Sequence, residues 1–211
     1  MRALALYAAL PASVRFHTRV RAATCPMQAV LERVPPEGRL LEVGCGHGLF
    51  ANEAALRNPG LSVLGIDPSV EKIRWAEATV AGRPGIRFRA ERLEDLAEGS
   101  FDAVAVLDVL YLVPREEWPS FLGRCRDRLR PGGRLILKEV DLRPRWKFYR
   151  CVLQEAVSVR LLGISLGRAL AFAGREELAV LLRDVGFADV SVADLGRGSW
   201  TPHVLYQAAR P

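Results

Sequence analysis

The stretch Leu41-Glu42-Val43-Gly44-Cys45-Gly46-His47-Gly48-Leu49-Phe50 decides how the rest of the chain is read. A short apolar run from Arg39 to Val43 ends in glycines at alternate positions, and a helical pattern resumes around Phe50. Glycine permits the tight turn and lets a ligand approach bare backbone. The helix start beyond it adds partial positive charge. In the dinucleotide fingerprint G-x-G-x-x-G the third glycine would fall at position 49, which here is Leu49; the glycines run 44, 46, 48 instead.

Outward from this turn, β-like runs alternate with helical patterns. Leu61–Asp67, Ile86–Ala90, Phe101–Asp108 and Arg134–Glu139 read as strands, and Phe50–Arg57, Val70–Val80 and Trp118–Leu129 as helices. That alternation predicts a parallel, doubly wound sheet. Arg130–Gly133 reads as a helix stop and turn before the fifth strand. Asp189–Asp194 and His203–Ala208, joined by a turn-rich segment, read as a terminal hairpin, so one antiparallel strand joins the sheet. The expected fold is α/β, Rossmann-like, with a mostly parallel seven-stranded sheet and an antiparallel C-terminal strand. It forms one domain over 1–211, with an N-terminal helical extension (1–26) and a lid-like amphipathic insertion (146–173) interrupted near Gly163 and Gly167.

Composition agrees. The chain has 211 residues, half of them hydrophobic, enough for one real core. No apolar run reaches the roughly 18 residues of a membrane span. The net charge is +6 and almost wholly arginine, with lysine only at Lys72, Lys138 and Lys147. Arginine suits planar anions, which keeps phosphates and nucleic acids in view. Cys25, Cys45, Cys125 and Cys151 form no C-x-x-C pair, and with three histidines no metal cluster is expected. Reduced thiols point to a cytoplasmic protein. The apolar start Ala3–Leu10 is followed by Arg15, Arg19 and Arg21, with no acid until Glu32, and reads as a helix packing on the domain rather than an export signal.

Glu42-x-Gly44-x-Gly46-x-Gly48 resembles motif I of the class I S-adenosylmethionine-dependent methyltransferases. Further matches follow in order: Gly65–Ser69 resembles the acidic end of strand two, Phe101–Val104 the entry to strand four, Leu129–Leu137 the turn before strand five, and Leu181–Phe187 the helix exit before strand six. The resemblance spans roughly Met27 to Pro211 and implies S-adenosyl-L-methionine as cofactor. It implies that Gly44, Cys45, Gly46 and Gly48 wrap the methionine part, that Glu42 engages its ammonium end, and that Asp67, with Pro68 beside it, accepts from both ribose hydroxyls. Asp108 would close the site. One position departs from the family: where many members carry an aspartate reading adenine, this chain has Arg92, and arginine cannot accept that bond. Glu91 or Glu94 substitutes, or the backbone and packing at Leu93 hold the base.

Ligands of such sheets bind beyond the carboxyl ends of the strands. That places Tyr111, Glu139, Asp141, Arg143 and Trp200 at a substrate pocket, with His203 as candidate general base. His17 and His47 are weaker candidates. Asp108-Val109-Leu110-Tyr111 stands where base-amine and glutamine-amide methyltransferases of this fold carry an Asp/Asn-Pro-Pro-aromatic motif, which disfavours those acceptors. The apolar insertion suggests a small, apolar or lipid-like acceptor. Two basic stretches, Arg124–Arg130 and Arg143–Arg150, support RNA as the alternative. A non-catalytic cofactor-binding domain is the third reading.

Overall fold

The computed structural model describes residues 1–146, 171–196 and 201–211. A 3-10 segment, Arg2–Tyr7, precedes helices α1 (Ala12–Thr24) and α2 (Met27–Leu31). Then come β1 (Glu37–Val43), α3 (Leu49–Arg57), β2 (Gly60–Asp67), α4 (Val70–Ala78), β3 (Ile86–Ala90) and β4 (Phe101–Leu107). After β4 follow α5 (Trp118–Arg128), β5 (Leu129–Val140), α6 (Arg175–Asp184), β6 (Ala188–Asp194) and β7 (His203–Ala209). The seven strands form one sheet in the order β3-β2-β1-β4-β5-β7-β6. β7 runs antiparallel to both its neighbours; every other pair is parallel.

Alternation along the central strands builds two cores. Ala103, Ala105 and Leu107 of β4 face the layer of α3, α4 and the N-terminal segment, whereas Val104 and Val106 face α5 and α6. β1 divides the same way, with Leu40 on the first face and Leu41 and Val43 on the second. Each fully buried aliphatic side chain contributes on the order of 1.5–3 kcal/mol, so the sheet is clamped from both sides. The strand order reverses between β1 and β4, which puts the topological switch point beside the glycine turn.

Two local expectations shift. Ala3–Leu10 is not one α-helix: the 3-10 segment ends at Tyr7, and Pro11 restarts the chain because the residue before a proline avoids the α region. Tyr7 is buried instead and donates its hydroxyl to the His47 carbonyl at 2.7 Å. β5 begins at Leu129, so the Arg130–Gly133 turn lies inside the strand as an irregularity opposite Phe101, where Gly132 donates to the Arg210 carbonyl. Most of 146–173, and Trp200, lie outside the described residues. Among the described residues no helix is long and apolar enough to cross a membrane.

Candidate functional site at the carboxyl edge of the sheet

The glycine turn is held by its neighbours. The N–H groups of Gly44 and Cys45 both donate to the Ile66 carbonyl, at 2.8 and 2.9 Å, which fastens the turn to the end of β2. Gly46 has φ +54°, and a β-carbon there would meet nothing within 4 Å, so the backbone faces open room. Gly48, at φ +76°, is confined in the opposite sense: a β-carbon would collide with the Phe88 ring. Phe88 likewise lies against Gly65, whose β-carbon would fall 2.6 Å from the ring. Cys45 is buried between these parts, and burial pushes its thiol well up, which leaves it inert.

Two carboxylates complete the turn. Asp67 accepts from Gly46 N–H through Oδ2 and from Ser69 N–H through Oδ1, both at 2.9 Å. Each oxygen keeps a further lone pair, so the group can still accept two hydroxyl donors. Glu42 accepts from Ala51 N–H at 2.9 Å, in the first turn of α3. It is 3% exposed, and burial pushes its carboxyl up to about 8 against the pull of nearby Arg21. An ammonium group beside it would restore the charge. A cradle of open backbone at Gly46, spare acceptors on Asp67 and a buried acid at Glu42 fit the nucleoside and amino-acid ends of S-adenosylmethionine.

The structure adds a cover that sequence reading missed. Helix α1 lies across this edge with Val14, Thr18 and Arg21 turned inward. Arg21 donates to the Leu107 carbonyl at 3.0 Å and pairs with Asp108 at 3.4 Å. The His17 and His47 rings meet with centroids 4.9 Å apart. The available signal was an arginine at i+7 from a buried valine on an otherwise inward row.

Asp108 takes a left-handed φ of +59° and meets Lys138, whose side chain is fully buried, through Oδ1. Burial pushes the Asp108 carboxyl up, but Lys138 and Arg21 outweigh it and hold it below the usual range. Glu139 pins the same turn by accepting from Val109 N–H (3.3 Å) and Leu110 N–H (3.0 Å), and its burial pushes it up to about 8. His203 opens β7 opposite Val140, with Nε2 3.0 Å from the Thr24 carbonyl. A carbonyl only accepts, so the proton is assigned to Nε2; Nδ1 is buried with no hydrogen-bond partner among the described residues. Burial and Lys138 lower this imidazole to about 4.

The remaining predicted residues separate. Tyr111 is buried and stacks on Phe172, centroids 5.5 Å apart, with Val140 completing a small apolar wall. Asp141 is engaged by Arg175 at the start of α6. Arg143 and Pro68 are exposed. Arg92 is turned outward, 65% exposed and paired with Glu94, so it is not brought to the cradle; Leu93 beside it is buried in the core. Three arginines of the first basic stretch are committed internally: Arg124 pairs with Glu94, Arg126 with Asp127 and the Val185 carbonyl, and Arg130 with Asp102. Among the described residues no group of histidine, cysteine and acids could hold a metal ion.

Comparison with known proteins agrees with this geometry. A family model described as a methyltransferase domain matches residues 17–192. The chain is 29% identical over 178 residues to a ubiquinone biosynthesis O-methyltransferase of Xanthomonas axonopodis pv. citri, covering 82% of this chain and 73% of that protein. It is 30% identical over 175 residues to the like-named protein of Xylella fastidiosa, covering 81% and 70%. Among solved structures, the apo form of the S-adenosylmethionine-dependent methyltransferase SibL superposes with a TM-score of 0.75 at 21% identity. That match covers 99% of this chain but only 62% of SibL, and it speaks to the fold alone.

Proposed function

The chain belongs to the methyltransferase-domain family and, within it, to the class I S-adenosylmethionine-dependent methyltransferases; from that premise we propose that it methylates a hydroxyl oxygen of a small, apolar acceptor. The observation that carries this reading is the similarity to O-methyltransferases over most of both chains. The apolar wall of Tyr111, Phe172 and Val140 supports an apolar acceptor. The internal pairing of Arg124, Arg126 and Arg130 weighs against a nucleic-acid surface there.

S-adenosylmethionine, when bound, supplies an activated methyl group on a sulfonium. Asp67 would hold the ribose, Gly46 would give way to the ligand, and Glu42 would face the ammonium. Alignment of the reacting atoms in such a site is worth roughly 7–11 kcal/mol. A hydroxyl nucleophile must also lose a proton, and His203 takes it at Nδ1 while the Thr24 carbonyl holds the ring by its Nε2–H. Burial and the nearby Lys138 lower this imidazole to about 4, so it is neutral at pH 7 with Nδ1 free of a proton.

Labelled-methyl transfer to a panel of alkylated phenols and catechols, with RNA run in parallel, tests the reading. His203→Gln should lower kcat by about 10²–10⁴-fold with cofactor affinity unchanged. Transfer to RNA alone would overturn the acceptor, and an unchanged kcat in the variant would remove His203 from the reaction.

A further inference from the structure

Of the eight large apolar side chains left exposed among the described residues, five gather at one end of the sheet, while Met1, Val180 on α6 and Val192 on β6 lie elsewhere. Phe16 (68% exposed) and Val20 (37%) lie on α1 over the site, Val70 follows the end of β2, Leu112 the end of β4 and Trp146 the end of β5. All five thus stand at the carboxyl edge of the sheet, where the acceptor would enter. On α1 the outward residues Ala12, Phe16, Val20 and Ala23 recur at helical spacing, so the helix has two apolar rows, one packed on the site and one facing out. Charge follows the same pattern. The first 31 residues carry Arg2, Arg15, Arg19 and Arg21 and no acid, and Arg143 and Arg145 are exposed just beyond β5. Exposed acids also stand at this end, Glu71 after β2, Glu94 and Asp95 after β3 and Glu116 and Glu117 after β4, but α1 carries none, so the basic and apolar centre is α1.

We propose that the outer face of α1 docks the carboxyl edge of the sheet onto an anionic lipid surface, so that an apolar acceptor reaches the site from the bilayer. A helix with an apolar stripe and flanking arginines lies in the headgroup plane, where area burial and attraction to anionic lipid add. Arg19 stands within the stripe, where it meets lipid phosphate while Phe16 and Val20 enter the acyl boundary. The inner face of the same helix holds Arg21 against Asp108 and His17 against His47, so docking acts directly on the cover of the site. The inference rests on the apolar-acceptor reading.

The test is co-sedimentation of the intact protein with vesicles of phosphatidylcholine alone or mixed with phosphatidylglycerol. Binding is expected to the mixed vesicles only and to weaken as salt is raised. Phe16→Ser combined with Val20→Ser should lower the partition coefficient by about tenfold or more. Both side chains are solvent-facing, so circular dichroism and calorimetric S-adenosylmethionine affinity in vesicle-free buffer should stay unchanged. Arg19→Glu gives an independent variant with the same expected direction. No binding to anionic vesicles, or binding that all variants retain, overturns the proposal. So does a dimer seen by light scattering that the double variant dissolves, since the stripe would then be covered by a second copy. Methylation of a water-soluble phenol separates the two readings: if it proceeds without vesicles while binding fails, the acceptor chemistry stands and the docking face does not.

Discussion

Replacing Glu42 by glutamine should change how stability depends on pH more than it changes stability at any one pH. In the native protein this carboxyl is buried and held up to about 8, against 4.5 when exposed. Between those values the unfolded chain has released the proton and the folded chain retains it. Glu42 therefore contributes stability that is complete below pH 4.5 and is lost as pH rises through about 8. One such proton gives a slope of about −1.4 kcal/mol per pH unit, summing to an upper limit of about 5 kcal/mol across the window. Glu139 behaves alike, while His17, His47 and His203, each lowered from 6.5 to about 4, tilt the curve the other way only below pH 6.5. Above 6.5 the two glutamates dominate. Glutamine keeps an oxygen for the Ala51 N–H and cannot ionise. Urea unfolding at intervals from pH 6.5 to 8.5 should show the wild-type midpoint falling steeply and the Glu42→Gln slope shallower by close to one proton. Equal slopes in the two proteins would mean that Glu42 is ionised in the folded protein, and that burial does not hold its proton there.

The same group predicts proton release on cofactor binding: at pH 7, calorimetry in buffers of different ionisation enthalpy should register close to one proton released, absent in Glu42→Gln. Asp67→Ala forfeits charged hydrogen bonds worth about 1.5–3 kcal/mol and should weaken S-adenosylmethionine binding by roughly 10- to 150-fold; unchanged affinity in a titration would remove Asp67 from the site. The two turn glycines should part company. Gly46→Ala, facing open room, bears only a left-handed backbone cost of about 1–2 kcal/mol and should stay folded while losing cofactor. Gly48→Ala, driven into Phe88, should lower the melting temperature sharply; equal thermal stability of the two variants would contradict the packing.

The sheet was legible because its strands carry their own punctuation. Arg39–Val43 and Leu61–Asp67 are apolar runs ended by glycine or by an acid and proline, and the structure extends each by no more than two residues. The hairpin of β6 and β7 was equally plain from the turn between them. The contents of the glycine turn were readable for a different reason: backbone exposure demands glycine, and few residues stand in for it. What sequence could not give was placement by distant partners. Arg92 looked like an adenine-side residue by alignment, yet Glu94, two positions on, draws it to solvent. Asp141 looked like a pocket residue until Arg175, on a helix beyond the insertion, claimed it. Arg21 and Lys138 were hidden for the converse reason. Nothing local marks an arginine or a lysine as buried, and only the meeting of α1, β4 and β5 around Asp108 makes both necessary.

Phe88 lies against two glycines from different segments, Gly48 of the cofactor turn and Gly65 of β2. Neither glycine can acquire a side chain while the ring remains, and a smaller residue at 88 would leave a void that either could fill. The three positions are thus one choice written in three places. Single replacements at any of them should be lost, whereas paired ones, such as Gly65→Ala with Phe88→Leu, should survive, so homologous chains are expected to change these positions together or not at all. The path by which the turn can drift over generations therefore runs through β3, an edge strand whose only ladder partner is β2.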